Sequence, residues 1–187
     1  MRERRTARKS RTLAGQLLLA HPVMQDPNFK RSVVLLSAHN EEGAMGVVLN
    51  RPLGKQLAEI NAGFALGPLA GVPLYAGGPV EPEQLILVSW QWLEEERAFQ
   101  LHFGIEPEKA AELIGTPGLT VRGFLGYSGW TKGQLENEMK HDTWFLTAVE
   151  GRQLDHSDGT ALWRNLLGAL DPELKLLANE PEDPTVN

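Results

Sequence analysis

The sequence predicts an α+β domain, and three observations carry that prediction. Short continuous apolar runs bounded by turn formers recur along the chain, the signature of buried strands. Two of these runs flank a glycine turn and so form an antiparallel hairpin over residues 32–50. Helix signals fall between the strands at irregular intervals, which argues against the strict alternation of a doubly wound sheet. The chain of 187 residues is 42% hydrophobic and 22% charged, enough for one core and one domain.

The elements follow in order. Gly15–Ala20 (GQLLLA) reads as a buried strand, and Pro22–Phe29, with two prolines, as a loop. Ser32–Ser37 (SVVLLS) is a second buried strand. His39–Gly43 supplies a turn, and Gly46–Leu49 returns as a third strand stopped by Pro52. Residues 61–73 are rich in Gly, Ala and Pro and read as irregular, and Gly77-Gly78-Pro79 as a further turn. Strands are expected at 84–90, 98–103, 119–126 and 144–149. A helix is expected at 106–114, with Pro107 in its first turn and Gly115 as its stop. A second helix spans 132–140, where Glu136 and Lys140 stand four apart and Glu136 is expected to face solvent. A third runs over 159–170, capped by Asp158 and carrying the apolar stripe Leu162, Trp163, Leu166, Leu167 and Leu170. Residues 178–187 read as an acidic, frayed tail, which leaves 13–177 as the domain.

Net charge is −6, but residues 1–12 hold six basic side chains against Glu3 alone. Without that arm the 18 basic and 24 acidic residues fall to 12 and 23, a net charge of −11. So acidic a body repels phosphate backbones, and no sequence-specific nucleic-acid binding is expected of it. The arm reads as a solvated start rather than a leader, because the apolar stretch Leu17–Ala20 is too short for one. With no apolar run near 18 residues, no membrane partner is expected, and the compartment expected is the cytoplasm. Cysteine is absent, which excludes disulfides, thiolate metal sites and a cysteine nucleophile.

The chemical motifs are sparse. Neither GxGxxG nor GxxxxGK[ST] is present, and Gly123–Gly129 reads as a tight strand-to-helix connection. Gly126-Tyr127-Ser128-Gly129-Trp130 approaches a nucleophile elbow, but Trp130 replaces the required glycine. The histidines at 21, 39, 102, 141 and 156 match no metal-ligand spacing, so no metal and no cofactor are expected. Asn50-Arg51-Pro52 is more pointed: a strand ends in an amide and a planar guanidinium suited to a carboxylate or phosphate. The competing reading is a strand end tied by an internal salt bridge. Trp130 and Trp144 read as core, and Gln134 as a residue that bonds backbone or ligand.

Together these segments resemble the YqgE/AlgH family. The likeness rests on Gly15-x-Leu17-Leu18-x-Ala20-x-Pro22-x-Met24-x-Asp26-Pro27-x-Phe29-x-x-Ser32-Val33-Val34 and on His39-Asn40-x-x-Gly43-Ala44-Met45-Gly46-x-Val48-x-Asn50-Arg51-Pro52. Gly77-Gly78-Pro79 and Gly126-Tyr127-x-x-Trp130-x-x-Gly133-Gln134-Leu135-Glu136-x-Glu138, with Trp144, complete it over about residues 15–170. The resemblance implies a compact, sandwich-like α+β fold with a mixed, largely antiparallel sheet, bacterial and cytosolic, without an established activity. AlgH itself is named a transcriptional regulator. Members commonly carry Ala at the position of Ser128 and Lys at that of Arg51, which disfavours a serine nucleophile and keeps a cation at 51.

Three function classes follow. The leading one is a cytosolic, non-enzymatic binding or regulatory protein with a protein or small-molecule partner. The second is a ligand or enzyme site, for an anion or nucleotide, drawn from His39, Asn50, Arg51, Gly77, Gly78, Trp130 and Gln134, with His39 as its acid/base. That class requires these residues to converge and Arg51 to lack an internal carboxylate. The third, a transcriptional regulator, is confined to the basic arm.

Overall fold

In a computed structural model the structure describes residues 12–155 and 157–179. The basic arm up to Arg11, His156 and the tail from Glu180 lie outside the described residues.

Strands β1 (Leu17–Ala20), β2 (Val33–Asn40) and β3 (Gly43–Val48) form the centre. β2 and β3 pair antiparallel as the expected hairpin, with a register shift between Leu36 and Ala38. Their sequences run as continuous apolar stretches because both faces of the sheet are covered. Leu17, Leu19, Val33, Leu35, Val47 and Leu49 point to one core, while Leu18, Ala20, Val34, Leu36, Ala44 and Val48 point to another. Successive side chains thus serve opposite cores, and all four residues of β1 are completely buried.

The rest of the sheet comprises β4 (Pro52–Gln56), β5 (Pro73–Ala76), β6 (Val80–Leu93), β7 (Ala98–Phe103), β8 (Leu119–Thr131) and β9 (Trp144–Thr147). The order β4-β5-β8-β3-β2-β1-β9, with β6 and β7 attached to β8, makes one curled nine-stranded sheet. Among the described residues only β5 and β8 pair in parallel, so the sheet is mixed and mostly antiparallel. Five α-helices are described: α1 (Leu57–Ile60), α2 (Pro107–Leu113), α3 (Gln134–Lys140), α4 (Gly159–Leu170) and α5 (Pro172–Ala178). α4 buries the expected stripe at Leu162, Trp163, Leu166 and Leu167 against the first core, and its Asp158 cap accepts from Gly159 N at 2.8 Å.

The structure corrects four local expectations. The strand expected at 119–126 continues to Thr131, so Gly123–Gly129 is strand and not a connection to a helix. Around Gly126, whose φ is +73°, β8 leaves β5, keeps one pairing with β6 at Tyr127 and takes up β3 from Ser128 onward. Such a partner change needs a local kink that L side chains resist. Pro52 ends no strand region; it opens β4, a wholly exposed edge strand where a missing N–H is harmless. β5 was not expected, because four residues with proline at their head carry little strand signal on their own. α5 was not among the expected helices; Asp171 caps it and Pro172 takes its first turn.

Candidate functional site

The named residues gather at two places, at opposite ends of the β2–β3 hairpin. Val33 accepts from Leu49 N at one end, and His39 lies six residues further along β2, roughly 20 Å away.

At the far end, His39, Trp130 and Gln134 meet around α3. Trp130 and Trp144 are 6% and 5% exposed and pack edge-on, with Phe29 against both. Both indole N–H groups donate to one oxygen of Glu138, at 2.9 and 2.8 Å. The other Glu138 oxygen accepts from Gln134 Nε2 at 2.9 Å, and Gln134 Oε1 accepts from Thr131 N at 3.0 Å. Gln134 therefore joins the end of β8 to α3, and Glu138 satisfies three donors. His39 Nδ1 accepts from Leu13 N at 3.3 Å, so its Nε2 carries the proton toward Glu136 Oε1 at 2.7 Å. That bond holds the Glu136 carboxyl below its ordinary range, aided by its backbone hydrogen bond. Glu136 faces solvent near Lys140 as expected, and the bond to His39 is what the sequence did not show.

At the near end stand Asn50, Arg51, Gly77 and Gly78. Asn50 is buried, and its amide is fully used. Its oxygen accepts from Val33 N at 2.8 Å, and Nδ2 donates to Arg31 O at 2.9 Å and Gly159 O at 3.0 Å. One side chain thereby ties β2, the preceding loop and the start of α4 together. A Cβ on Gly77 would overlap the Gly126 carbonyl oxygen, and one on Gly78 the Tyr127 carbonyl. These glycines let the 77–79 turn lie against β8. Gly77 O also accepts from the buried Ser128 hydroxyl at 3.2 Å, so that hydroxyl sits inside a strand rather than on an elbow.

Arg51 differs from its neighbours. Its guanidinium donates to Pro27 O at 3.4 Å and Lys30 O at 3.2 Å, both backbone carbonyls. Among the described residues no carboxylate lies within ion-pair distance of it. Burial pulls its pKa below the ordinary guanidinium value, opposed by the more distant Asp26 charge. Two cavities share it. One of about 270 Å³ is lined by Lys30, Arg31, Asn50, Arg51, Gly159 and Thr160, with Pro27 at its edge. The other, about 150 Å³, is lined by Asn28, Val48, Ala76, Gly78 and Pro79 beside Arg51. Among the described residues neither lining contains an acidic side chain. A wider groove of about 860 Å³ between β7 and the chain after β9 contains none of the named residues.

Arg122 lies just beneath, and the sequence pattern singled out nothing there. Only 9% exposed, its guanidinium sits 4.4 Å from the Tyr75 ring centroid and 5.0 Å from that of Trp90, and donates to Leu49 O at 3.3 Å. Tyr75 in turn donates to Asp158 at 2.7 Å, and burial with that bond pushes its phenol up to about 12. Lys30, Arg31, Thr160 and Glu138 were likewise missed as site residues. Only Glu138 had a legible signal, since two nearby buried indoles require an acceptor. Among the described residues no group of three or more His, Asp or Glu side chains is arranged to hold a metal. Among the described residues no helix is long and apolar enough to cross a membrane.

Comparison with known proteins places the fold and the family. An AlgH-like family model matches residues 17–175. A UPF0301 protein of Streptomyces avermitilis is 36% identical over 94% of this chain and 96% of its own length. One from Chlorobaculum tepidum is 34% identical over 92% of this chain and 95% of its own. The solution structure of the AlgH protein of Pseudomonas aeruginosa superposes with a TM-score of 0.64 at 28% identity, covering 98% of this chain and all of that one. A crystal structure of a Corynebacterium diphtheriae protein has the same fold, with a TM-score of 0.69 at 22% identity over 89% of this chain and 92% of that one. The chain belongs to the AlgH-like family.

Proposed function

We propose that this chain is a cytoplasmic binding protein, regulatory rather than catalytic, whose ligand is a small anion seated against Arg51. One observation carries the reading: among the described residues, a half-buried guanidinium bonded to two backbone carbonyls forms the shared wall of two cavities without acidic lining. A partly desolvated cation with Asp26 beyond ion-pair distance gains from an anion supplied by a ligand. The polar groups of the other cluster point to structure instead, because His39, Trp130 and Gln134 are occupied with Glu136 and Glu138. His39 and Arg51 also lie too far apart to serve one small substrate.

The test is a thermal-shift series with sodium acetate, succinate and methyl phosphate, each matched against chloride at equal ionic strength. An anion at 100 times its Kd should add about 2.7 kcal/mol of stability. The expected result is a rise in Tm for the wild type that disappears in Arg51→Ala. A wild type indifferent to every anion overturns the reading.

A regulator that reads DNA is a weaker proposal, since outside the arm the chain carries a net charge of −11. Six phosphate contacts from the arm would give a log–log salt slope of about −5. Deleting residues 1–12 should therefore remove any low-salt binding, and no sequence-selective complex should persist at about 150 mM salt.

A further inference from the structure

We propose that the wide groove between β7 and the chain after β9 is the docking site of this chain's own basic segment, residues 1–11. One wall of the groove is the β6–β7 hairpin, with Trp92, Glu94, Arg97 and Phe99; the other is the chain from Ala148 to Gln153, with Glu150. Trp92 and Phe99 pair across the two strands, so an indole and a phenyl ring lie side by side on the first wall. The rim is acidic. Glu94, Glu95 and Glu96 form the exposed hairpin turn, and Glu150 stands exposed on the facing wall. Among the described residues Arg97 is the one cation lining the groove, and neither it nor any of these four carboxylates is in an ion pair. The neighbouring Arg152 is instead matched by Asp155 at 2.9 Å. No cation among the described residues stands over the Trp92 ring.

The occupant follows from charge and from position. Residues 1–11 supply Arg2, Arg4, Arg5, Arg8, Lys9 and Arg11 against Glu3. A guanidinium pairs with carboxylates through its planar fork and stacks on an indole, and the groove offers both surfaces. Gly15 is itself part of the groove lining, and the described chain begins three residues earlier, at Thr12. The Thr12 hydroxyl donates to the His39 carbonyl at 3.2 Å, so the basic segment starts from a fixed point about 10 Å or less from Gly15. Eleven residues reach up to roughly 36 Å from there, enough to turn back and lie along the groove. A segment attached so near is present at about millimolar effective concentration, which favours it over a basic partner peptide free in solution. The proposal is independent of the anion reading of Arg51, because the two cavities there share no lining residue with this groove.

The experiment uses the full chain with Thr6→Cys, which gives a single thiol for a nitroxide label because the protein has no cysteine of its own. Paramagnetic broadening is read by NMR at the Trp92 indole N–H and the Phe99 and Gly151 amides, with Gly54 on the edge strand β4 as the control. The three groove signals should broaden and Gly54 should not. Glu94→Gln combined with Glu150→Gln should weaken docking about two- to fivefold per carboxylate. Both positions are exposed, so the rest of the amide fingerprint should stay in place. Sodium chloride at ~0.5 M, which cuts the screening length to about 4 Å, should remove most of the broadening. Groove signals as sharp as with a diamagnetic label, or broadening indifferent to both salt and the double variant, would overturn the proposal. A mixture of spin-labelled and isotope-labelled molecules supplies the last arm. Broadening at the groove in that mixture gives it to the basic segment of a second copy, and overturns the proposal as well.

Discussion

The two ends of the β2–β3 hairpin are built from the same kinds of residue and solve opposite problems. Around α3 the polar atoms are matched to one another: two indoles and a glutamine amide meet one carboxylate, and an imidazole meets a second. Around Arg51 the amide of Asn50 is just as fully matched, but the guanidinium beside it has only carbonyls. The loop of residues 22–31 touches both ends, through Phe29 in the aromatic cluster and through the Pro27 and Lys30 carbonyls at Arg51. A closed polar network contributes rigidity, whereas an unmatched charge leaves room for a partner. The difference separates groups matched to one another within the fold from a guanidinium matched only by backbone carbonyls.

The sharpest way to break this comparison is Asn50→Ala. If Asn50 is structural despite its place beside the cavity, losing it orphans Val33 N and two carbonyls and should cost about 3 kcal/mol, read by urea denaturation. A loss below about 1 kcal/mol would make it ligand machinery instead. Next comes Glu138→Ala, which strands both indole N–H groups and the Gln134 amide; roughly 2–3 kcal/mol is expected, with a change in tryptophan fluorescence. Arg51→Ala should alter stability by less than about 1 kcal/mol, because its carbonyl partners are on the exposed loop and can turn to water. A large loss there would put Arg51 with the structural group.

The smallest effect is the most specific in pH. The folded Glu136 carboxyl lies below its unfolded value, so its bond to His39 stabilises the protein above the unfolded carboxylate pKa. That contribution fades as pH falls through the depressed folded value. Glu136→Gln should accordingly lower Tm slightly near neutrality and converge with wild type in acid. A difference that grows toward low pH would show that another group controls it.

Much of the fold was legible because burial on both faces writes itself into the sequence. The runs LLLA and VVLL could only be strands covered on both sides, and the stripe and Asp158 cap of α4 could only be an amphipathic helix. β4, β5 and the continuation of β8 to Thr131 were not legible, since their pairing depends on partners distant in sequence. Glycines at 123, 126 and 129 look locally like a connection; here they allow one strand to change neighbours.

The sequence by itself determined the α+β class, the central hairpin, the family likeness and the presence of a cation after the third strand. Local chemistry is enough for those, because periodicity, caps and turn residues act over a few positions. Which of the named residues share a site was decided only by the tertiary structure. It set His39 apart from Arg51 along a rigid hairpin, used up the Asn50 amide, and brought Arg31 and Thr160 to the cavity that Arg51 lines. Hydrogen-bond satisfaction and charge compensation are properties of neighbours in space, and residues 31, 51 and 160 become neighbours only when the chain has folded.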